Sequence, residues 1–432
     1  MLFFSLKGNV NEPIVFKDTN GNPLLQLHVL PLDTEHANEH TIYCASVFDV
    51  RQIMFLLNQK YQDQIQVQVF DDSVIESAFK MPKKLGVHID KNGDENQFGF
   101  NEFIDSCESG ETKNVLFAQA FGNSFTDTYV SGNILREISQ KFIDKGVKIN
   151  YEGTLSQAFP QPGMILNQIH PLNSYFNSIF PVSELLRFDA YWSFSDIEMR
   201  EGYEVSEYFE FFSKQFGLDE VIVRNDFHIS PVSRIQINNR VRTLKEKHSK
   251  ISLIQTNGTL QLHKMPDTVG KELVEALCAK HTDTLFISDN TYGLELDNLL
   301  NLSQVSGNLV HYVLLLENVD SVFTVSSLTP VLANELEVPC LFVSTMADGN
   351  DLFKVKDSIV KTISIKDHEL YDIDNLYAPV TEEQLDSIWS GHSAQELASA
   401  FNELPSKNKK IEFNSDILTG NELVAKLMNP EF

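Results

Sequence analysis

The chain has 432 residues, and its 34 Lys and Arg against 60 Asp and Glu give a formal net charge of −26 at pH 7. Proteins that bind nucleic acid or anionic membranes over a broad surface carry a surplus of cations, so the excess of acid excludes that class. Hydrophobic residues make up 42% and charged residues 22%, which is typical of a folded protein and not of a disordered acidic tail. At about 100–200 residues per domain, the length predicts two to four domains.

The cysteines and the N-terminus predict a cytoplasmic protein. Cys44, Cys107, Cys278 and Cys340 are isolated, with no Cys-x-x-Cys pair, so neither a zinc site nor a disulfide framework is indicated. The first residues lack the charged region and the long apolar stretch of a signal peptide. No window approaches the roughly 18 uninterrupted apolar residues of a transmembrane helix.

Residues 1–110 have the pattern of a β-rich α+β accessory module. Pro13–Phe16 and Leu24–Leu30 are short apolar or alternating runs, and the turn-rich segment between them predicts a β-hairpin. Val47–Gln59 has apolar residues at helical spacing, and Gln64–Phe70 alternates strictly, which predicts a helix followed by a strand. Polar, turn-rich sequence then places a boundary near residue 110.

Residues 111–232 change to strands and helices in alternation. Val115–Ala120, Lys148–Tyr151 and Met164–Ile169 are predicted strands, and Asn133–Lys145 is a predicted amphipathic helix. Such alternation is typical of βαβ units and a parallel sheet. We therefore predict a first α/β half here.

Residues 251–380 repeat this alternation and predict a second α/β half. The predicted strands and helices are, in order, Ile251–Gln255, Val269–Lys280, Thr284–Ser288, Leu309–Leu316, Val322–Val325, Thr329–Leu336 and Pro339–Ser344. Residues 381–432 form a C-terminal helical segment with one predicted helix, Glu382–Phe401, which could pack across the two halves. Two such halves predict a cleft with ligands at the carboxyl ends of the strands.

Between the halves, residues 233–250 reverse the charge of the chain. Six of the 34 cations fall in these 18 residues, with Glu246 as the single acid. We interpret Arg234, Arg240 and Arg242 as candidate contacts for an anionic ligand or acceptor entering the cleft. The alternative is a solvated interdomain helix.

Four strings, in order along the chain, resemble motifs of the ADP-heptose glycosyltransferases. Val115–Leu135 is a strand, a small-residue loop, an Asp and a helix, and Phe180–Leu185 resembles the family's P-x-V-x-E-L. Ile251–Pro266 resembles the strand and loop that open the donor half, and Val319–Pro339 resembles its D-x-x-V-x-x-D-[ST]-G-x-x-H string. The resemblance covers roughly residues 113–345.

The resemblance implies a GT-B fold, in which two Rossmann-like halves face a cleft, here with the extra N-terminal module. It also implies an inverting, metal-independent glycosyltransferase that moves a hexosyl, pentosyl or heptosyl group from a nucleotide-diphosphate-sugar to an acceptor hydroxyl. Asp127 occupies the place of the family's proposed catalytic base, whereas a helix N-cap is the alternative role for an Asp at this position. His170, after a predicted strand, is a candidate acceptor contact.

The resemblance and the local chemistry together predict a donor diphosphate site in the second half. A small polar loop, a lysine and a Ser/Thr cluster before a predicted helix can supply hydrogen bonds and positive charge to phosphates. Ordinary turns, helix caps and a solvated lysine are the alternatives. The predicted donor contacts are Thr256, Asn257, Thr259, Lys264, Ser326, Ser327 and Thr329.

This chain departs from the family at the donor site and leaves the acceptor open. Ser326, Leu328 and Val331 stand where the family has Asp, Gly and His, so a non-catalytic GT-B-fold binding protein is an alternative. A glycan, a protein or modified DNA are candidate acceptors, the last as in phage enzymes that glycosylate hydroxymethylated pyrimidines. The chain has no HExxH pattern, so we expect no metal and no cofactor besides the nucleotide-sugar co-substrate.

Overall fold

The computed structural model describes residues 1–10, 12–17, 21, 23–61, 64–89, 95–118, 125–155, 174–193, 208–216, 218, 229–258, 260–345, 352–353, 359–365, 380–405 and 407. The first elements are β1 (Leu2–Gly8), β2 (Ile14–Lys17), β3 (Pro23–Leu27), β4 (Val29–Leu30), β5 (Tyr43–Ala45), α1 (Val47–Tyr61), β6 (Ile65–Phe70), α2 (Asp72–Ala78), β7 (Lys83–Lys84), β8 (Gly86–Ile89), β9 (Glu95–Phe98) and α3 (Phe100–Ser106). The predicted hairpin is confirmed as the antiparallel pair β2 and β3, and the predicted helix and strand are α1 and β6.

The next part of the chain forms a parallel sheet. Its elements are β10 (Thr112–Ala118), α4 (Phe125–Lys145), β11 (Lys148–Leu155), β12 (Ser174–Asn177), β13 (Phe180–Pro181), α5 (Val182–Leu185), β14 (Ala190–Ser193) and α6 (Tyr208–Gln215). The strand order is β12-β11-β10-β14-β7, and every pair is parallel. The predicted strand Met164–Ile169 lies outside the described residues.

The N-terminal part of the chain pairs and packs with this sheet. Strand β7 pairs with β14, and β13 in turn pairs with β5 of the N-terminal sheet. Along β10, Val115 and Phe117 belong to the large core of the two α/β halves, whereas Leu116 and Ala118 pack with Phe3 and other N-terminal side chains. The N-terminal module therefore covers one face of the first parallel sheet.

The last described part forms a second parallel sheet. Its elements are α7 (Pro231–Lys245), β15 (Lys250–Gln255), α8 (Asp267–Lys280), β16 (Thr284–Ser288), β17 (Leu299–Asn301), α9 (Leu309–Asn318), β18 (Ser321–Val325), α10 (Thr329–Glu335), β19 (Cys340–Ser344), β20 (Val360–Ser364), α11 (Glu382–Trp389) and α12 (Ala394–Asn402). The strand order is β17-β16-β15-β18-β19-β20, all parallel. This is the 3-2-1-4-5-6 order of a Rossmann fold. The predicted α/β class with two Rossmann-like halves and a β-rich N-terminal part is confirmed.

The prediction of a single helix over Glu382–Phe401 is wrong, because the structure has two helices there. Helix α11 ends at Trp389, and a turn through Gly391 follows. Ser393 then begins α12 with a capping box, in which its hydroxyl accepts from the N–H of Glu396 at 3.3 Å and its own N–H donates to the Glu396 carboxylate at 3.0 Å. Both helices pack in one apolar cluster with α8 of the second half.

Candidate functional site

Strand β15 lies at the centre of the second sheet, between β16 and β18, where the chain order of the strands reverses. In open parallel sheets, ligands bind in the crevice outside the carboxyl ends of the strands at such a switch point. The loops after Gln255, Ser288 and Val325 leave these three neighbouring strands at that edge. Of the seven predicted donor residues, the described parts of the loops after Gln255 and Val325 carry Thr256, Asn257, Lys264, Ser326 and Ser327, and Thr329 begins α10.

The loop after β15 is held by a carboxylate that the sequence analysis did not single out, that of Asp289 after β16. One Asp289 oxygen, Oδ1, accepts from the backbone N–H of Thr256 at 3.0 Å and from its hydroxyl at 3.1 Å. The other, Oδ2, accepts from the N–H of Thr256 at 3.2 Å and from the N–H and side-chain amide of Asn257 at 2.9 and 3.1 Å. Burial raises the pKa of Asp289, although these hydrogen bonds favour its charged form.

A tyrosine, Tyr292, also binds this loop through a hydrogen bond. The Tyr292 hydroxyl donates to Thr256 Oγ1 at 2.7 Å. The backbone of Tyr292 is left-handed, with φ of 53°, and its N–H donates to Asn290 Oδ1 at 2.9 Å. Thr256 is fully buried, and its N–H and hydroxyl are both engaged within the protein.

The loop packs closely against His263. A Cβ at Gly258 would lie 2.1 Å from His263 Cβ and 2.8 Å from its carbonyl carbon, so a side chain at this position does not fit. Burial lowers the pKa of His263 to about 4, while a hydrogen bond to the backbone of Ser326 acts in the opposite direction. His263 is therefore neutral at pH 7, and it joins the loop after β15 to the loop after β18.

A cluster of hydroxyl groups lies between β15 and β18. Gln255 Oε1 accepts from the hydroxyls of Thr324 and Ser327, each at 3.1 Å, and also from that of Thr329. The Tyr312 hydroxyl bonds to Thr329 Oγ1 at 2.5 Å, and burial raises the pKa of Tyr312. The switch point is thus lined by mutually bonded polar side chains.

Lys264 is engaged by carboxylates. Its Nζ lies 2.8 Å from Glu382 Oε1 and 3.0 Å from Asp267 Oδ1, and the second Glu382 oxygen accepts from the N–H of Asp267 at 3.3 Å. Both carboxylates raise the pKa of Lys264 against the effect of burial, so the lysine is charged. A phosphate that bound Lys264 would have to compete with Glu382.

The predicted base lies at the switch point of the first sheet. Strand β10 is flanked by β11 and β14, and the chain leaving its carboxyl end enters α4, of which Asp127 is the third residue. An N-cap lies just before the first helical residue, so Asp127 is past the capping position. The side chain of Asp127, like the whole of His170 and Thr259, lies outside the described part of the structure.

The predicted anion contacts, Arg234, Arg240 and Arg242, lie away from the loops that carry the predicted donor residues. Helix α7 packs on α9, and Lys245 in its last turn pairs at 3.3 Å with Asp320, just before β18. The helix therefore ends at the amino edge of the sheet. The loops that carry the predicted donor residues leave the opposite edge, about 17 Å away along the length of β15. Arg240 and Arg242 lie within two turns of that end, and Arg234 pairs at 2.7 Å with Glu317 at the end of α9.

Metal-binding clusters and membrane-spanning helices are both absent among the described residues. Among them, no group of three or more His, Cys, Asp and Glu side chains is placed to hold a metal ion. Likewise, none of the described helices is both long and apolar enough to cross a membrane.

Sequence reasoning missed Gln255, Asp289 and Tyr292 at the site. For Asp289 the sequence contains a usable signal, since an acid directly after the second strand of a Rossmann fold is a ligand-site position. In the sequence, Gln255 is marked only as the last residue of a predicted strand. Tyr292 stands in an Asn-Thr-Tyr-Gly turn, where nothing in the sequence marks a tyrosine as structural.

No family model matches the chain, and no curated protein matches it. Among solved structures, Escherichia coli ADP-heptose lipopolysaccharide heptosyltransferase II is similar at 12% identity and a TM-score of 0.42, over 67% of this chain and 99% of its own. The iron-containing dodecameric glycosyltransferase TibC of enterotoxigenic E. coli is similar at 13% identity and a TM-score of 0.42, over 93% and 90% of the two chains.

A putative UDP-N-acetylglucosamine 2-epimerase of Listeria monocytogenes is similar at 9% identity and a TM-score of 0.35, over 68% of this chain and 91% of its own. All three similarities are weak.

Proposed function

We propose that this protein is a glycosyltransferase that transfers a sugar from a nucleotide-diphosphate-sugar to an acceptor hydroxyl, with inversion and without a metal ion. The observation that supports it best is the polar switch point of the 3-2-1-4-5-6 sheet, where Gln255, Ser327 and Thr329 meet between two strand ends. Rossmann-type sheets bind nucleotides at this place. In the first sheet, β10 is followed along the chain by helix α4, with Asp127 in its first turn.

In this proposal Asp127 takes the proton from the acceptor hydroxyl as the sugar is transferred. A positioned base contributes about 10²–10⁴-fold to such a reaction. On the donor side, the described groups that can stabilise the departing diphosphate are neutral hydroxyls, such as those of Ser327 and Thr329 once they release Gln255, together with Lys264 once Glu382 releases it. Hydrogen-bond donors aimed at developing charge, with a lysine beside them, can act without a metal.

One observation favours a second candidate, a non-catalytic protein of the same fold. The backbone N–H groups of Thr256 and Asn257 are bonded to Asp289, and Lys264 is paired with Glu382. A protein that had lost donor binding would keep such internal pairs. Binding of a nucleoside diphosphate separates the two candidates, because only the glycosyltransferase requires it.

The test of catalysis is the substitution Asp127→Asn, with Asp144→Asn as its control. Both residues belong to α4, and Asp144 lies exposed near its other end, where it accepts a hydrogen bond from Gln140 that Asn can also accept. We expect Asp127→Asn to lower the release of nucleoside diphosphate from a nucleotide-sugar panel by at least about 100-fold. A folded Asp127→Asn variant with the rate of the Asp144→Asn control would rule out Asp127 as the base.

A further inference from the structure

The Asp289 carboxylate has no capacity left for a ligand. Its two oxygens offer about four lone-pair sites. Four donor groups of Thr256 and Asn257 make five contacts with these oxygens, between 2.9 and 3.2 Å, because the N–H of Thr256 contacts both oxygens. These donors already fill the four sites. In Rossmann folds that bind dinucleotides, the acid near this position accepts a hydrogen bond from a ribose hydroxyl. Here its bonds go to the protein's own loop.

The same contacts engage the N–H groups of Thr256 and Asn257 and the hydroxyl of Thr256. The N–H groups of Thr256 and Asn257 both point at Asp289, and the hydroxyl of Thr256 donates to Asp289 while it accepts from Tyr292. A phosphate therefore cannot take these N–H groups unless it displaces a buried carboxylate. The loop is fixed in shape before any ligand arrives.

Tyr292 is itself held in an unfavourable backbone conformation. A tyrosine with φ of 53° is uncommon, and such strain persists only where the surroundings determine it. Its hydroxyl reaches Thr256 across the first turn of α8, where a Cβ at Gly270 would lie 2.1 Å from the hydroxyl oxygen. The close approach needs glycine at position 270.

We infer that Asp289 and Tyr292 are positioning residues that hold the loop Thr256–Gly258 in the shape that receives the donor, and that Asp289 does not contact the donor. The donor's contacts at this edge then fall to the side chains beside the loop, such as those of Ser327 and Thr329 once their hydroxyls release Gln255. This inference rests on the proposed function for the identity of the ligand. The geometry of the loop stands independently of it.

The test compares Asp289→Asn with Asp297→Asn. Asp297 lies exposed in the same connection between β16 and β17, so the control makes the same chemical change without touching the loop. An Asn at 289 presents an NH₂ group to donors of Thr256 or Asn257. We expect faster hydrogen exchange at residues 255–258 in the ligand-free Asp289→Asn protein, and about tenfold weaker binding of ADP or UDP in calorimetry. The control should match the wild type in both.

Each outcome bears on the inference. Wild-type exchange together with weaker ADP or UDP binding in Asp289→Asn would show a direct ligand contact and overturn it, as would no change in either. Faster exchange with no nucleotide binding even by the wild type would remove the proposed function but keep the loop geometry. Should Asp289→Asn fail to fold, Tyr292→Phe removes only one hydroxyl and is expected to speed exchange at the same residues.

Discussion

At the scale of single residues, the site is defined by side chains that bind one another. Asp289 holds Thr256 and Asn257, while Gln255 holds three hydroxyl groups across the gap between two strands. Buried polar groups of this kind are costly unless satisfied, so a network this dense fixes one arrangement of the loops. A nucleotide bound here, as proposed, would meet a preorganised surface.

His263 predicts a pH dependence of stability. Its pKa is about 4 in the folded protein and about 6.5 in the unfolded chain, so the unfolded state takes up the proton first as the pH falls. The contribution of neutral His263 is complete above pH 6.5 and is lost as the pH falls towards 4. Between pH 7 and pH 5 we expect a loss of about 2 kcal/mol from this group.

Urea unfolding at the two pH values, followed by tryptophan fluorescence, measures this loss. The His263→Gln variant should lose about 2 kcal/mol less than the wild type between pH 7 and pH 5. His40→Gln is the control, because His40 is exposed. Equal losses in wild type and His263→Gln would contradict the buried, neutral state of His263.

The sequence predicted the positions of several site residues but not what they bond to. Thr256, Asn257 and Ser326 to Thr329 could be located because they follow apolar strands that are easily recognised. Their bonding could not be predicted, because Asp289 approaches from a neighbouring strand and Glu382 from 118 residues away along the chain. Such hydrogen bonds depend on the tertiary structure, and a local sequence pattern carries no information about it.

At the scale of elements, the second sheet was the most predictable part. Predicted and observed ends agree within two residues for all seven predicted elements of this half, and Thr284–Ser288 agrees at both ends. These strands are buried on both faces, so each is a continuous apolar run between turns. Strand β17, like β7 of the first sheet, was missed because two or three residues at the edge of a sheet leave no periodic pattern, and the edge strand β20 was not predicted either.

The capping box before α12 predicts a stability effect. Ser393→Ala removes the hydroxyl that accepts from the N–H of Glu396, so we expect a loss of about 1 kcal/mol in the free energy of unfolding. Ser399→Ala, in the same helix, removes an exposed hydroxyl that only bonds back to the carbonyl of Gln395, and it should change stability much less. Urea unfolding of both variants measures the difference. Equal effects would contradict a capping role for Ser393.

At the scale of the whole molecule, the chain forms two parallel sheets, each with its own switch point. The switch points lie beside β10 in the first sheet and β15 in the second, and candidate site residues follow both strands along the chain. The N-terminal module takes the place of a helical layer on one face of the first sheet. Its position could not be predicted, because the apolar run of β10 shows burial on both faces but not what covers each face.

The cationic helix predicts a negative result for nucleotide binding. Arg240 and Arg242 lie near the amino edge of the second sheet, and neither forms an ion pair with any residue in the described ranges. The double variant Arg240→Ala and Arg242→Ala should therefore bind ADP and UDP as tightly as the wild type in calorimetry. Weaker nucleotide binding would place these arginines at the donor. Lower affinity for a DNA acceptor alone, with a shallower salt dependence, would assign them to the acceptor.

The central claim is that the switch point between β15 and β18 binds a nucleoside diphosphate. Titration calorimetry of the wild-type protein with ADP, UDP, GDP and their sugar conjugates tests it most directly. At least one nucleoside diphosphate should bind, and its sugar conjugate should bind at the same site in competition with it. If none of them binds, the assignment as a glycosyltransferase is contradicted, and a protein that has kept the fold without the donor chemistry becomes the better description.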